Sequence, residues 1–276
     1  MSTIPRQQYL QKMRKEKWLI ILTQAFILAA FIVAWEVMAS ARIIDPFLFS
    51  RPSQIIELLL KLAREGELFH HVAVTVGETL AGFFLGTFLG LLTAILLWWY
   101  PSLARLMDPF LVVLNSTPKI ALGPIFIVWM GNGYGAILTM ALTISVITTI
   151  TVIYSGFTEV PEGYVKLIRV FGGNRWEILR KVILPASVPT IIAALKVNIG
   201  LTLVGVIVGE FLVSKSGLGY LIIYGGQVFQ LTLVIASIVI LAVVAAILYQ
   251  FVAWFERRWI SNPSSGSARV RVGSGG

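Results

Sequence analysis

Apolar residues in this chain gather into long runs separated by short polar stretches. The runs span residues 19–39, 72–98, 110–130, 135–157, 190–211 and 231–255. Crossing the hydrocarbon core of a bilayer takes about 20 consecutive, mostly apolar residues in a helix, and each run meets that length. Glu78 interrupts the second run, and Pro118, Lys119 and Pro124 interrupt the third. A helix satisfies its own backbone groups, which lipid requires. The pattern therefore predicts an all-α integral membrane fold with six transmembrane helices.

Composition agrees with this. The chain has 276 residues, 57% hydrophobic and 13% charged, whereas soluble domains are about 25% charged. A formal net charge of +9 reads in such a chain as basic loops against an anionic leaflet rather than as a nucleic-acid surface. There is no cysteine, which excludes disulfides, thiolate metal sites and a cysteine nucleophile. His70 and His71 are adjacent and so face different ways on a helix, a poor metal pair. No GxxxxGK[ST] phosphate loop is present, so the chain is not expected to bind ATP itself. No catalytic cluster, metal site or cofactor is predicted.

Lysine and arginine in the flanks set the expected orientation. With six spans both termini lie on one side. That side holds Arg6, Lys12, Arg14, Lys15, Lys17, Arg105, Lys166, Arg169, Arg175, Arg180, Lys181, Arg257, Arg258, Arg269 and Arg271. The other side holds Arg42, Arg51, Lys61, Arg64 and Lys215. The richer side reads as cytoplasmic, with Trp98, Trp99, Tyr100, Trp254 and Trp259 as inner aromatic belts. The chain divides into a basic cytoplasmic N-terminus (1–18), a six-span domain (19–258) with a cytoplasmic loop at 158–188, and a flexible Gly/Ser-rich tail (259–276). The basic leader precedes a full-length apolar run, and that run reads as a retained span, not a cleaved signal. In the first outer loop, Pro52 and Ser53 can start, and Gly66 can end, a short surface helix.

The stretch FGGNRWEILRKVILPASVP, residues 171–189, is too organised for a slack connector. Gly172 and Gly173 can end one helix. Asn174 can cap the next, with Glu177 completing a capping box. Pro185 is expected to stop or kink that second helix.

These residues resemble the cytoplasmic signature of permease subunits of binding-protein-dependent ABC importers: Glu-Ala-Ala, three residues, Gly, nine residues, Ile, one residue, Leu-Pro. Here nine residues separate Gly172 from Val182, followed by Ile183, Leu184 and Pro185, while Lys166, Leu167 and Ile168 stand at the Glu-Ala-Ala positions. LNSTPKIALGPIFIVWMG (114–131), VGEFLVSKSGLGYLI (208–222) and RPSQI (51–55) resemble segments of the nitrate, sulfonate and taurine branch of these permeases. The resemblance runs in family order from residue 50 to 258. It implies a type I ABC importer permease in the bacterial inner membrane, working as a homodimer with cytoplasmic ABC ATPase subunits and an extracytoplasmic solute-binding protein. ATP would be bound by the ATPase. Lys166, Leu167, Ile168, Gly172, Val182, Leu184 and Pro185 would belong to the ATPase-coupling loop. The solute would be a small anion of the nitrate, sulfonate or taurine kind, or else a vitamin precursor such as a pyrimidine.

Translocation-path candidates are Asn115, Ser116, Thr117, Lys119 and Glu210. Lys119 either sets a positive potential for an anion or snorkels from a proline-broken helix start, and the balance leans to snorkelling. Lys196 is read as snorkelling too. Glu210 is either a gate residue or a solvated acid at a helix end. Glu36 and Glu78 are read as structural, Glu78 through Thr75 or Thr79. Gly82, Gly86 and Gly90 recur every four residues and read as a packing stripe, with a dimer contact as the alternative. An ion-gradient-driven secondary transporter would want repeats or embedded coupling acids, and an enzyme a polar catalytic cluster. The sequence shows none of these clearly.

Overall fold

The computed structural model describes residues 6–260. Residues 1–5 and the glycine- and serine-rich tail, on which the tail expectation falls, lie outside them. Within the described residues the fold is all-helical: α1 (Arg6–Ser40), α2 (Pro46–Phe49), α3 (Pro52–Glu65), α4 (Glu67–Trp99), α5 (Pro101–Ser116), α6 (Gly123–Met130), α7 (Tyr134–Thr158), α8 (Glu162–Val170), α9 (Arg175–Ile178), α10 (Leu184–Val213), α11 (Leu218–Gln227) and α12 (Leu231–Ile260). Two compact units appear, residues up to 68 with 222–238, and residues 69–221 with 239 onward.

In the first unit α1 exposes apolar side chains all round, Phe26 and Phe31 among them, as suits a helix facing lipid. Glu36 near its end accepts hydrogen bonds from Ser53 N at 3.0 Å and Ser53 Oγ at 2.9 Å. This caps α3, whose own N-cap residue Arg51 makes no side-chain capping bond. The predicted surface helix is thus present, and Gly66 ends it at φ 82°. Ser50 Oγ donates to Thr232 Oγ1 at 3.0 Å.

In the second unit α7 and α10 approach until their backbones nearly touch. A Cβ at Gly205 would lie 2.5 Å from Ala141 Cα, and one at Gly209 would lie 2.8 Å from Ile137 Cα. The stripe on α4 packs within the same chain: a Cβ at Gly82 would lie 2.8 Å from Thr202 Cγ2, and one at Gly86 2.8 Å from Ser145 Oγ. Gly90 meets Thr149 in the same way. Small residues permit this closeness, and it is the packing alternative that holds. Phe83, Leu203, Ile207, Leu218, Val244 and Leu248 form the largest apolar cluster, drawn from α4, α10, α11 and α12.

The third predicted span is not one helix. α5 and the 119–130 segment meet at a bend of 88°, so five helices are long and apolar enough to cross, or six with the bent pair counted as one span. Pro118 and the short 3₁₀ turn Lys119–Leu122 cause the break, because proline lacks a donor and biases its predecessor away from helix. Lys196 departs from expectation too. Its ammonium meets Glu256 at 2.5 Å, with both side chains mostly covered. A lysine paired in this way does not snorkel.

Candidate functional site

Residues 158–188 fold as a rooted knob. α8 ends at Phe171, and Gly172 follows at φ +77°, a left-handed conformation that costs glycine little. Gly172 N donates to Arg169 O and Gly173 N to Ile168 O, each at 2.9 Å, satisfying the carbonyls a helix end leaves open. Gly173 is needed for a different reason: a Cβ there would fall on the Ile168 side chain and carbonyl. Asn174 then opens α9. Its Oδ1 accepts from Glu177 N at 2.9 Å, and Glu177 Oε2 accepts from Asn174 N at 3.0 Å. The predicted capping box is complete.

Pro185 does not stop the helix. Leu179–Ile183 form a π-turn that joins α9 to α10, and helix continues from Arg175 to Val213. A π-turn widens the helix just where the proline ring would press on the preceding carbonyl. The α9 end of the knob is therefore continuous with a span.

Its two faces differ. Ile178, Leu179 and Ile183 are at most 3% exposed and pack with Ala94, Ile153, Phe157 and Ala194. Leu184 and Ile168 lie against the same cluster, half-buried. Val182 is half-buried and Pro185 exposed. On the other side Leu167, Val170, Phe171 and Trp176 stand open, Val170 at 83% and Phe171 at 81%. These large apolar side chains are exposed among charged residues. Lys166 is exposed and binds Glu162 at 2.8 Å, one turn back. That hydrogen bond, then the lysine charge, holds the Glu162 carboxyl below its ordinary pKa.

The path candidates separate. Asn115, Ser116, Thr117 and Lys119 gather at the break after α5. Ser116 Oγ donates to Val112 O at 2.9 Å and Thr117 Oγ1 to Val113 O at 2.8 Å. Lys119 Nζ donates to Asn115 O at 3.1 Å, so the ammonium closes the end of α5.

Glu210 belongs to another constellation. It is 1% exposed, which overturns the solvated-acid reading. Oε1 accepts from Thr75 Oγ1 at 2.6 Å, and Oε2 from Gly219 N at 2.5 Å. Thr75 Oγ1 also accepts from Leu218 N at 2.8 Å, and His71 Nδ1 from Gly217 N at 2.9 Å. The His71 ring stacks on Tyr220 at 5.9 Å. Thr75 thus serves Glu210 rather than Glu78, and Thr79 donates to Thr75 O. Glu78 is buried beside Glu210, and its Oε2 finds no partner among the described residues. Gly217, at φ +107°, and Gly219 leave the room that the Glu210 carboxyl occupies. The sequence reading missed this polar knot. Its signal was a polar stripe, His71, Thr75 and Glu78, at one-face spacing on an apolar helix.

Comparison with known proteins places this architecture. The family described as "Binding-protein-dependent transport system inner membrane component" matches residues 86–261. A putative aliphatic sulfonates transport permease protein, SsuC, of Bacillus subtilis is 31% identical over 231 residues, 83% of this chain and 83% of the relative. A formylaminopyrimidine transport permease protein, ThiX, of Halalkalibacterium halodurans is 32% identical over 191 residues, 68% of this chain and 74% of the relative. Among solved structures, an inward-facing MetNI methionine ABC transporter superposes with a TM-score of 0.59 at 20% identity, covering 68% of this chain and 95% of the other. The fold is that of type I importer permeases, and ATP hydrolysis belongs to a separate subunit. The chain belongs to the binding-protein-dependent transport family, as a multi-pass inner-membrane permease subunit of an ABC importer.

Proposed function

We propose that two copies of this chain form one path for a small organic anion of the sulfonate class, and that the knob at 158–188 receives the motion of the ATPase. One observation carries the coupling reading: the knob is continuous with α10, buried on one face and apolar and open on the other. Force entering at Phe171 or Trp176 would then move a span as a rigid body. Lys166, Leu167, Ile168, Gly172, Val182, Leu184 and Pro185 build this element, some as surface and some as root. The solute class rests on the aliphatic-sulfonate relative. A negatively charged solute suits a path in which Asn115, Ser116, Thr117 and Lys119 stand at a helix break. Glu210 acts on the other side of the membrane, holding the 214–219 turn where a binding protein would dock. Both termini face the cytoplasm on this reading.

The test is uptake into vesicles holding the permease, its ATPase and its binding protein. ATP-dependent accumulation of an aliphatic sulfonate is expected. Accumulation driven by an ion gradient without ATP would overturn the mechanism. The relative named for formylaminopyrimidine supports a second solute, and preferential uptake of that pyrimidine would replace the sulfonate.

A further inference from the structure

Where α4 and α7 end, beside the root of the knob, lies a cavity of about 320 Å³. Trp98, Tyr154, Thr158, Arg169, Arg175 and Ile183 are among the residues that line it. Arg175 is held in place: its guanidinium lies 5.5 Å from the Trp98 ring centre and 5.6 Å from that of Trp99, and Nη2 donates to Trp98 O at 3.3 Å. These contacts anchor the guanidinium through one of its N–H groups and leave the others for a ligand. Of the carboxylates nearby in sequence, Glu162 pairs with Lys166 at 2.8 Å while also feeling the Arg169 charge, Glu177 pairs with Lys181 at 2.6 Å, and Glu159 lies between the lining residues Thr158 and Val160. Neither arginine forms a salt bridge among the described residues.

We infer that this cavity is a binding site for a phosphate-bearing anion, the headgroup of an anionic phospholipid. Three features point to it. Guanidinium forks match phosphate oxygens in a bidentate way. Tryptophans at the end of a span mark headgroup depth, and basic pockets between spans are where such headgroups bind. Beside Tyr154 and Thr158, the lining includes the apolar Leu97, Phe157, Val160 and Ile183, which suit the glycerol and first methylenes of a lipid. The patch proposed for the ATPase is separate, centred on Val170 and Phe171, which do not line the cavity. The site goes beyond the transport reading and requires only that the chain sits in a bilayer.

The experiment is native mass spectrometry of the full-length permease, delipidated in detergent and titrated with phosphatidylglycerol, phosphatidylcholine or inorganic phosphate. Phosphatidylglycerol should bind more tightly than phosphatidylcholine. The double variant R169Q/R175Q should weaken phosphatidylglycerol by about thirtyfold, roughly fivefold for each arginine. R169Q alone leaves the indole stack intact and should show the smaller loss, which guards against a folding defect. R258Q, at the stacked Arg258–Trp254 pair on α12, should bind like the parent. Displacement of the lipid by inorganic phosphate, dependent on the arginines, would assign the same chemistry to the free anion. Equal binding of the two lipids, or undiminished phosphatidylglycerol binding by R169Q/R175Q, would overturn the site. Loss of ATPase co-purification with lipid binding unchanged would overturn it too, and would give the arginines to the protein partner.

Discussion

Thr75 donates a 2.6 Å hydrogen bond to Glu210 across 135 residues of sequence, and the same hydroxyl oxygen accepts from Leu218 N at 2.8 Å. One small side chain on α4 thus ties down both the end of α10 and the start of α11. A buried acceptor that loses its donor costs about 1–3 kcal/mol, and more when charged. Thr75→Val keeps the shape and removes the hydroxyl, so it should lower the melting temperature of the purified permease. Thr75→Ser should restore most of it. A Val variant that melts with the parent would show that the knot is not a lock.

The two glycines of the knob should tolerate different replacements. Gly172 has open space around it but a φ of +77°. Asn, which accepts left-handed backbone, should be mild there. Val should cost about 1–2 kcal/mol locally, near tenfold in the docked population. Gly173 lacks room rather than freedom, so even Ala should displace Ile168. Co-purification with the ATPase and solute-stimulated ATP hydrolysis measure both effects. Parent-rate transport by Gly172→Val would reduce the knob to a connector.

Lys166 stands where the family signature has glutamate, and here it is paired with Glu162. Lys166→Glu would set two carboxylates one turn apart and so weaken α8. The swap Glu162→Lys with Lys166→Glu restores the pair in reverse. The helix should recover in the swap, as read by circular dichroism of the purified chain. ATPase affinity should stay changed if the sign of the charge at 166 matters to the partner, and should return to the parent value if only the helix matters.

Lys119 closes the end of α5 through Asn115 O. Lys119→Arg keeps both charge and donor, whereas Lys119→Gln loses the charge. Uptake of a sulfonate should fall in Gln and largely persist in Arg, with assembly unchanged in both. Equal uptake by Gln and the parent would leave Lys119 as a helix cap alone.

The absence of native cysteine makes orientation directly measurable. Lys215→Cys and Arg180→Cys each place a thiol at an exposed position. An impermeant maleimide added to intact cells should label the first and reach the second only after permeabilisation. The opposite pattern would invert the proposed topology.

Run length alone located five helices long enough to cross, because crossing lipid demands about 20 apolar residues in a helix whatever the neighbours are. Local chemistry was equally legible around Gly172, Asn174 and Glu177, where turn and cap are decided within a few residues. Pro185 was read as a stop or a kink, and the helix runs on because the cost of a proline depends on whether the backbone before it can widen, and the π-turn at Leu179–Ile183 does so against a core drawn from α4, α7 and α10. The break at Pro118 was visible as prolines, but its 88° bend was not, since periodicity carries no angle. Glu210 could be placed at a helix end from sequence. Its burial depended on Thr75, Gly217 and Gly219 arriving from elsewhere in the chain. Tertiary structure decided those pairings because a charge leaves water only where partners separated in sequence are brought around it together.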